Sequence, residues 1–539
     1  MHGVSTGSST PATSACSSSC WGRSRRPTRR SLSCPRDRRH TRDRAHRAAG
    51  PPLPDHRRGA GRQGRPLARQ GAAYGSGEHR RSGRSGSFVE YGRFITAAQE
   101  QRRGLAELVV ETPADGIIGG TASIGGKPCA VLSYDYLVMA GTQGMRGHRK
   151  SDRLIEIIGR MRLPTVFFTE GGGGRPGDTD IPLVSALDVG SFALWGELEG
   201  VVPRIAVVSG RCFAGNAVLA GCADLRIATP DANLGMAGPA MIAGGGLGTF
   251  APEEIGPVKD QAANGVIDVL VEDEAAAVEA VRSVLSCLEP SAESGEAVDQ
   301  AALRTILPHN DREAFDVRPV VETLADHDSV IWLREAFAPE LVTALARIDG
   351  IAVGVVANQS THLAGALTSD ASVKAAEFLA LCDRWGLPLV SLVDTPGFMV
   401  GPEAERGGLV RHASRMVVAG AQLSTPMVGV ILRRGYGLGA QAMLGGSTHR
   451  PLLTVAWPDA HLGPMGLEGA VRLSMATELA AMPEAEREER VATLTEEYRK
   501  QASALNAARV FEIDDVIDPA ETRAVVAATL RRAMAGGRS

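Results

Sequence analysis

A chain of 539 residues with 44% hydrophobic residues is long enough for two or three globular domains and apolar enough to fill their cores. Its net charge of −3 is a cancellation, because residues 1–86 hold 19 Arg, no Lys and 4 acidic residues, leaving the rest of the chain acidic. No apolar run reaches the ~18 residues of a membrane span, no signal peptide with an apolar centre opens the chain, and no CxxC pair suggests a zinc ribbon; a soluble, cytoplasmic protein with reduced thiols and no metal is expected.

Residues 1–86 contain no Ile and no Phe, and Val4 is their only Val. Such a segment buries too little apolar surface to offset its ordering entropy, so disorder is expected. Arg clusters such as Arg23 to Arg30 are of the kind that attracts phosphates. The abrupt change to ordinary protein text at Ser87-Phe88-Val89-Glu90-Tyr91 instead favours a misread stretch of a GC-rich gene over a nucleic-acid-binding arm.

After Ser87 the text reads as strands at 116–124 and 130–139 around the turn Gly125-Gly126, then a helix at 150–162 with apolar residues at Leu154, Ile157, Ile158 and Met161. A short strand at 163–168 runs into Gly171-Gly172-Gly173-Gly174-Arg175. A strand at 201–208 leads to the small-residue turn Phe213-Ala214-Gly215-Asn216 and a helix at 216–221. Residues 289–297 read as a linker. Strands at 351–357, 389–393 and 427–432 and a helix at 372–385 then repeat the order, and charged helices at 484–508 and 519–534 close the chain. Repeated strand–strand–helix units define an α/β protein.

The repetition is a duplication. Gly126, Gly141, Lys150, Pro164 and Gly173 recur at one constant, gapless spacing as Gly350, Gly365, Lys374, Pro388 and Gly397. Both halves carry Asp-Ala-x-Leu-Gly, ending at Gly235 and Gly463. Each also has a second small-residue turn after a buried strand: Ala214-Gly215-Asn216 in one, Gly437-Leu438-Gly439-Ala440-Gln441 in the other. Where a strand feeds a helix, the first helical N–H groups lack partners, and glycine lets a ligand oxygen come close. Two converging N–H groups can hold an oxyanion. A single such turn is ordinary structure, but a pair in duplicated halves suggests two oxyanion sites serving one reaction.

Other chemistries lack their signatures. There is no Gly-x-Ser-x-Gly elbow, no phosphate-binding Gly-x-x-x-x-Gly-Lys loop, and Gly244-Gly245-Gly246-Leu247-Gly248 is a weak look-alike of a dinucleotide fingerprint. His362, His412, His449 and His461 lack metal-ligand spacing. A reaction needing no protein base suits this inventory.

These residues resemble the biotin-dependent acyl-CoA carboxylase β-subunits, the carboxyltransferases. The resemblance rests on Gly221-Cys222-Ala223-Asp224, on the segment 235–242 with Pro252 to Pro257, on Asn264-Gly265-Val266-Ile267-Asp268, and on Asp394-Thr395-Pro396-Gly397-Phe398. It continues through Val410-Arg411-His412, Tyr436-Gly437-Leu438-Gly439-Ala440, Ala456-Trp457-Pro458 and residues 465–470, from about Ser87 to the end.

The resemblance implies an α/β fold of two tandem crotonase-type (ββα spiral) domains, an acyl-CoA half at 87–298 and a biotin half at 299–539. It also implies transfer of CO2 from carboxybiotin to the α-carbon of an acyl-CoA, biotin itself taking the α-proton. By position, the thioester hole falls on the amides of Gly172 and Gly173 and the biotin hole on those of Leu438 and Gly439. Gly437, Ala440, Gln441, Ala214, Gly215 and Arg175 complete the binding set, with Gln441 bordering the acyl pocket and Arg175 available for coenzyme A phosphates. The usual Asp-Ser-Gly-Gly-Ala-Arg run is here Glu170-Gly171-Gly172-Gly173-Gly174-Arg175, and the usual Gly-Gly-Ala-Tyr-Asp run is Gly437-Leu438-Gly439-Ala440-Gln441.

The five lysines, Lys127, Lys150, Lys259, Lys374 and Lys500, sit in no Ala-Met-Lys-Met biotinylation motif, and no ATP-binding signature is present. Biotin is therefore expected on a carrier partner, with ATP used only by a partner biotin carboxylase, around a homo-hexameric core. The alternative in the same fold is a biotin-dependent acyl-CoA decarboxylase subunit. A crotonase-type hydratase or isomerase needs a positioned carboxylate pair and only one domain; intact amide turns speak against a scaffold with degenerate sites, although backbone donors are insensitive to side-chain changes.

Overall fold

The computed structural model describes residues 87–181, 187–288, 294–308, 310 and 312–536. The expectation of disorder over 1–86 and residues 289–293 of the expected linker lie outside the described residues.

The first copy builds its sheet from β1 (Val89–Glu90), β2 (Ile117–Ile124), β3 (Lys127–Tyr134), β4 (Thr165–Phe168), β5 (Arg204–Val208), β7 (Leu225–Ala228) and β9 (Val269–Leu270), in that order across the sheet. The first three strands are antiparallel and the rest parallel. Two short strands, β6 (Arg211–Phe213) and β8 (Asn233–Gly235), pair beside it. Helix α1 (Met145–Met161) connects β3 to β4, α2 (Ser191–Gly196) precedes β5, α3 (Gly215–Gly221) follows β6, and α4 (Glu274–Cys287) follows β9.

The second copy repeats this order with β10 (Ile331–Leu333), β11 (Leu341–Ile348), β12 (Ile351–Asn358), β13 (Leu389–Thr395), β14 (Met427–Tyr436), β15 (Leu453–Ala456) and β17 (Asp515–Val516). Here β14 is long enough to do the work of both β5 and β6, and β16 (His461–Gly463) pairs with its far end as β8 pairs with β6. Helix α5 (Ser369–Trp385) matches α1, and α6 (Gly437–Met443) matches α3. The charged helix α7 (Glu484–Gln501) lies near the end of the chain.

Several boundaries differ from the sequence reading for local reasons. The second strand stops at Tyr134, before Met139 and Ala140 adopt left-handed backbone at φ 50° and 57°, where a strand cannot continue. The strand expected from 201 starts at Arg204, after Pro203, which has no N–H for the ladder. Helix α5 starts three residues earlier than expected because the Thr368 hydroxyl caps it, accepting the Ala371 N–H at 3.1 Å. The helix expected over 484–508 breaks after Gln501 and resumes as Ala504–Arg509.

The core explains why the copies sit together. Strand side chains alternate between faces. Val166, Phe168, Ile205, Val207, Leu225 and Ile227 point from the first sheet into a cluster that also holds Phe378, Leu379 and Cys382 of α5 and Leu389 and Val393 of β13. Their neighbours Phe167, Ala206 and Val208 point the other way, into a core belonging to the first copy. Among the described residues no helix is long and apolar enough to cross a membrane.

The duplicated lysines have matching structural duties. Lys374 Nζ donates to the carbonyls of Leu341 (2.7 Å), Phe337 (2.8 Å) and Arg334 (2.9 Å). Lys150 Nζ donates to the Ile117 carbonyl and faces Glu90. Leu341 and Ile117 each open the second strand of their copy, so each lysine ties its helix to the same place in the fold.

Candidate active site

In the first copy, β4 ends in the glycine turn and β6 ends at α3, and the structure brings the two together. The Gly171 N–H donates to the Arg211 carbonyl and the Phe213 N–H returns a bond to Gly171, both at 2.8 Å. The Gly172 N–H donates to the Ala140 carbonyl at 3.0 Å. The Gly173 N–H donates to Asn216 Oδ1, also at 3.0 Å. The Asn216 amide nitrogen in turn donates to the Glu170 carbonyl at 3.2 Å and the Gly141 carbonyl at 3.4 Å.

This corrects the reading of Gly172 and Gly173 as an oxyanion pair, since both amides are consumed inside the fold. The open donors of this copy lie one turn away. Gly215 and Asn216 open α3, where N–H groups have no acceptor within the helix. Ala214, expected to line the site, gives its N–H to the Gly235 carbonyl at 2.9 Å and stands at φ 52°, ψ −122°, a backbone uncommon for a residue with a Cβ. Gly173, at φ 87°, must be glycine because an added Cβ would come within 2.7 Å of Ala214 Cβ.

Arg175 is a second correction. Its side chain is 2% exposed, ion-paired with Asp115, and bonded to the Thr142 hydroxyl (3.2 Å) and carbonyl (2.9 Å). A guanidinium so enclosed holds the turn in place and cannot reach a coenzyme A phosphate.

The second copy arranges its turns alike. Thr395 Oγ1 accepts the Gly397 N–H at 3.1 Å, so here too the turn after the second parallel strand uses its amide internally. Strand β14 runs straight into α6, whose first residues are Gly437, Leu438 and Gly439. Gly437 has φ 61° and Leu438 projects a 71%-exposed side chain. A Cβ on Gly439 would come within 2.6 Å of the Gly397 carbonyl carbon. Ala440 is buried, and Gln441 is exposed, its carbonyl accepting the Gly446 N–H at 2.7 Å. The structure thus gathers Gly437, Leu438, Gly439, Ala440 and Gln441 at one helix start, with the Leu438 and Gly439 amides among those lacking an intrahelical acceptor.

Charge is set differently around the two turns. Burial, reinforced by Glu274, Asp231 and Asp135, pushes the Glu170 carboxyl up to about 8. Burial also pushes Asp394 up, but bonds and charges from Arg434 and then Arg433 outweigh it and hold Asp394 below the usual carboxylate range. Arg434 Nε and Nη2 reach it at 2.8 and 2.9 Å, and Arg433 Nη2 at 2.9 Å. Cys212, in the first turn, is pushed up to about 12 by burial, so it is a packed thiol with no thiolate for nucleophilic attack. Among the described residues no group of three His, Cys, Asp or Glu side chains could hold a metal ion.

Two helix starts with main-chain donors, in two copies of one fold, are of the kind that can hold a carbonyl oxygen. Residues 82–538 match the carboxyl transferase domain family. The methylmalonyl-CoA carboxyltransferase 12S subunit of Propionibacterium freudenreichii subsp. shermanii is 35% identical over 436 residues, which cover 78% of this chain and 81% of that one. The structure of transcarboxylase 12S, described as a hexamer with methylmalonyl-coenzyme A bound, superposes with a TM-score of 0.73 at 32% identity, covering 83% of this chain and 86% of that one. A single-chain, multi-domain long-chain acyl-CoA carboxylase superposes with a TM-score of 0.78 at 47% identity over 85% of this chain. The chain spans 47% of that longer polypeptide. The chain therefore belongs to the carboxyltransferases of biotin-dependent acyl-CoA carboxylases, with their crotonase-like fold.

Proposed function

We propose that this chain moves CO2 from carboxybiotin, brought by a carrier partner, to the α-carbon of an acyl-CoA. The observation that carries the reading is the pair of open helix starts, at Gly215-Asn216 and at Leu438-Gly439. The first, in the half spanning 87–298, holds the thioester oxygen as the α-carbon becomes an enolate. The second, in the half spanning 299–539, holds the ureido oxygen. Main-chain donors suit both groups, because each presents a carbonyl oxygen that gains charge during the reaction. A bound carboxybiotin would supply the CO2 and, as the biotin left once CO2 has departed, accept the α-proton, so the chain's residues bind, orient and stabilise charge.

The carrier, a biotin carboxylase that uses ATP, and a hexameric core sharing each site between subunits belong to the same proposal. The hexamer of the 12S relative supports the last of these. A cytoplasmic place of action fits the five free cysteines of the described residues. Exposed Gln441, just past the first turn of α6, borders the acyl group in this reading, and Gln441→Asp should change acyl preference.

The test is incorporation of labelled bicarbonate into a panel of acyl-CoAs by the chain mixed with biotin carboxylase, a biotinylated carrier and ATP. Label in one thioester, lost in Gly215→Pro and in Gly439→Pro, is the expected result. No label, with a carrier active toward another carboxyltransferase, would overturn it.

A further inference from the structure

Phe192 is the second residue of α2 and is half-buried. Its ring tip and the Gln143 carboxamide fill the space beside Gly215. A Cβ built on Gly215 would come 3.0 Å from Phe192 Cζ and 2.2 Å from Gln143 Oε1. Gln143 is fixed by its own bonds, Nε2 donating to the Tyr134 hydroxyl at 3.0 Å and the N–H to the Gly173 carbonyl at 2.7 Å. The Cα of Gly215, next to its open amide, therefore has a carboxamide and an aromatic ring beside it.

The ring is held by a buried polar chain that no sequence motif announces. His148 and Asp152 lie four residues apart on α1, on one face of the helix. Ser191 docks between them: its hydroxyl donates to Asp152 Oδ1, and His148 Nδ1 lies 2.9 Å from Ser191 Oγ. With the Ser191 proton committed to Asp152, the oxygen is left to accept, which fixes His148 as the Nδ1–H tautomer. The imidazole then meets the Phe192 ring edge-on, with centroids 6.1 Å apart. At the other end of the short helix, Trp195 Nε1 donates to the Leu219 carbonyl of α3 at 2.9 Å. Helix α2 is thus pinned to α1 by Ser191 and to α3 by Trp195, and the Phe192 ring between them faces Gly215 at the start of α3.

We propose that Phe192 is the wall that selects the acyl group at the Gly215-Asn216 amides, and that Asp152, Ser191 and His148 are the positioning residues that hold it there. The inference rests on the reading of those amides as the thioester site. A rigid ring beside the thioester limits the bulk that the acyl chain can carry near its α-carbon. A buried serine bonded on both sides, rather than apolar packing alone, keeps the ring from swinging away. Burial lowers the His148 value and favours the neutral imidazole, so the chain of bonds persists at neutral pH.

The experiment measures kcat/KM for acyl-CoAs from acetyl- to palmitoyl-CoA with the complete system of chain, biotin carboxylase, biotinylated carrier and ATP. Phe192→Ala and Phe192→Leu should raise the ratio of long-chain to short-chain kcat/KM, by about 10-fold for the alanine. Ser191→Ala should shift the ratio in the same direction but less, and Ser191→Thr, which keeps the hydroxyl, should restore it. If both Phe192 variants leave the ratio unchanged, or lower every thioester by one factor, Phe192 is not the wall. Gly215→Ala separates this from failure of the underlying reading. Loss of transfer in Gly215→Ala with an unchanged ratio in the Phe192 variants overturns the wall alone. Full transfer by Gly215→Ala overturns the amide site, and the wall with it.

Discussion

Gly439 and Gly397 meet backbone to backbone, so close that one methyl group added to Gly439 would lie 2.6 Å from the Gly397 carbonyl carbon and 2.9 Å from the Phe398 nitrogen. The contact locks the start of α6 against the turn after β13. Gly439→Ala must push the two apart, and the donors at Leu438 and Gly439 move with the helix. Loss of an oxyanion donor costs roughly 10²-fold or more in kcat. Carbon transfer should therefore fall by at least that factor in Gly439→Ala, while the carrier is still carboxylated by its own enzyme. Transfer within a few-fold of wild type would show that this amide does not face the reaction.

Asn216 ties α3 to two turns of the first site, through the Gly173 N–H and Glu170 carbonyl of one and the Gly141 carbonyl of the other. Asn216→Ala leaves these buried groups without partners, at a cost of about 2 kcal/mol. Urea denaturation should show that loss.

Glu170 gives the first site a pH dependence of its own. Its folded value of about 8 stands above the ordinary 4.5. Between those values the folded state holds a proton that the unfolded chain has lost, so stability from this group falls as pH rises from about 4.5 to 8. Glu170→Gln cannot ionise and should be more stable than wild type at pH 9 but not at pH 4. Thermal melts at the two pH values measure the difference.

Lys374 should behave in the opposite sense. Burial lowers it to about 7 from 10.5, so the unfolded chain holds the extra proton between those values and stability rises with pH across that window. Lys374→Met should flatten the rise. It should also cost about 3 kcal/mol at neutral pH, because carbonyls of Leu341, Phe337 and Arg334 lose their donor. Lys150→Met removes fewer bonds and should cost less. Denaturant titrations across that range check both.

The duplication was legible because its markers are residues the backbone cannot exchange. Gly141 and Gly365 both sit at left-handed φ, 63° and 78°, against the backbone of the following turn, and Lys150 and Lys374 take up equivalent bonds. The helix start in the second copy was also legible, since α6 begins where the small-residue run begins. The bonding of the glycine run in the first copy was not. A row of glycines shows where amides are accessible in principle, but Gly173 loses its amide to a side chain 43 residues away. Arg175 read as a surface cation because nothing in the text says that Asp115 lies buried across from it. The bonded chain of Asp152, Ser191 and His148 spans two helices and follows no spacing rule, so only the folded arrangement reveals it.

The cluster in which Val166, Phe168, Ile205 and Val207 of one copy meet Phe378, Leu389 and Val393 of the other has a thermodynamic consequence. Neither half can be excised without exposing the wall of the core it shares. The copies, repeated in sequence, are therefore expected to melt as one: a single calorimetric peak whose enthalpy matches its van't Hoff value. A chain that arose by doubling would then have given up the independence of its parts, and a substitution at Phe378 would loosen the first sheet as much as the second.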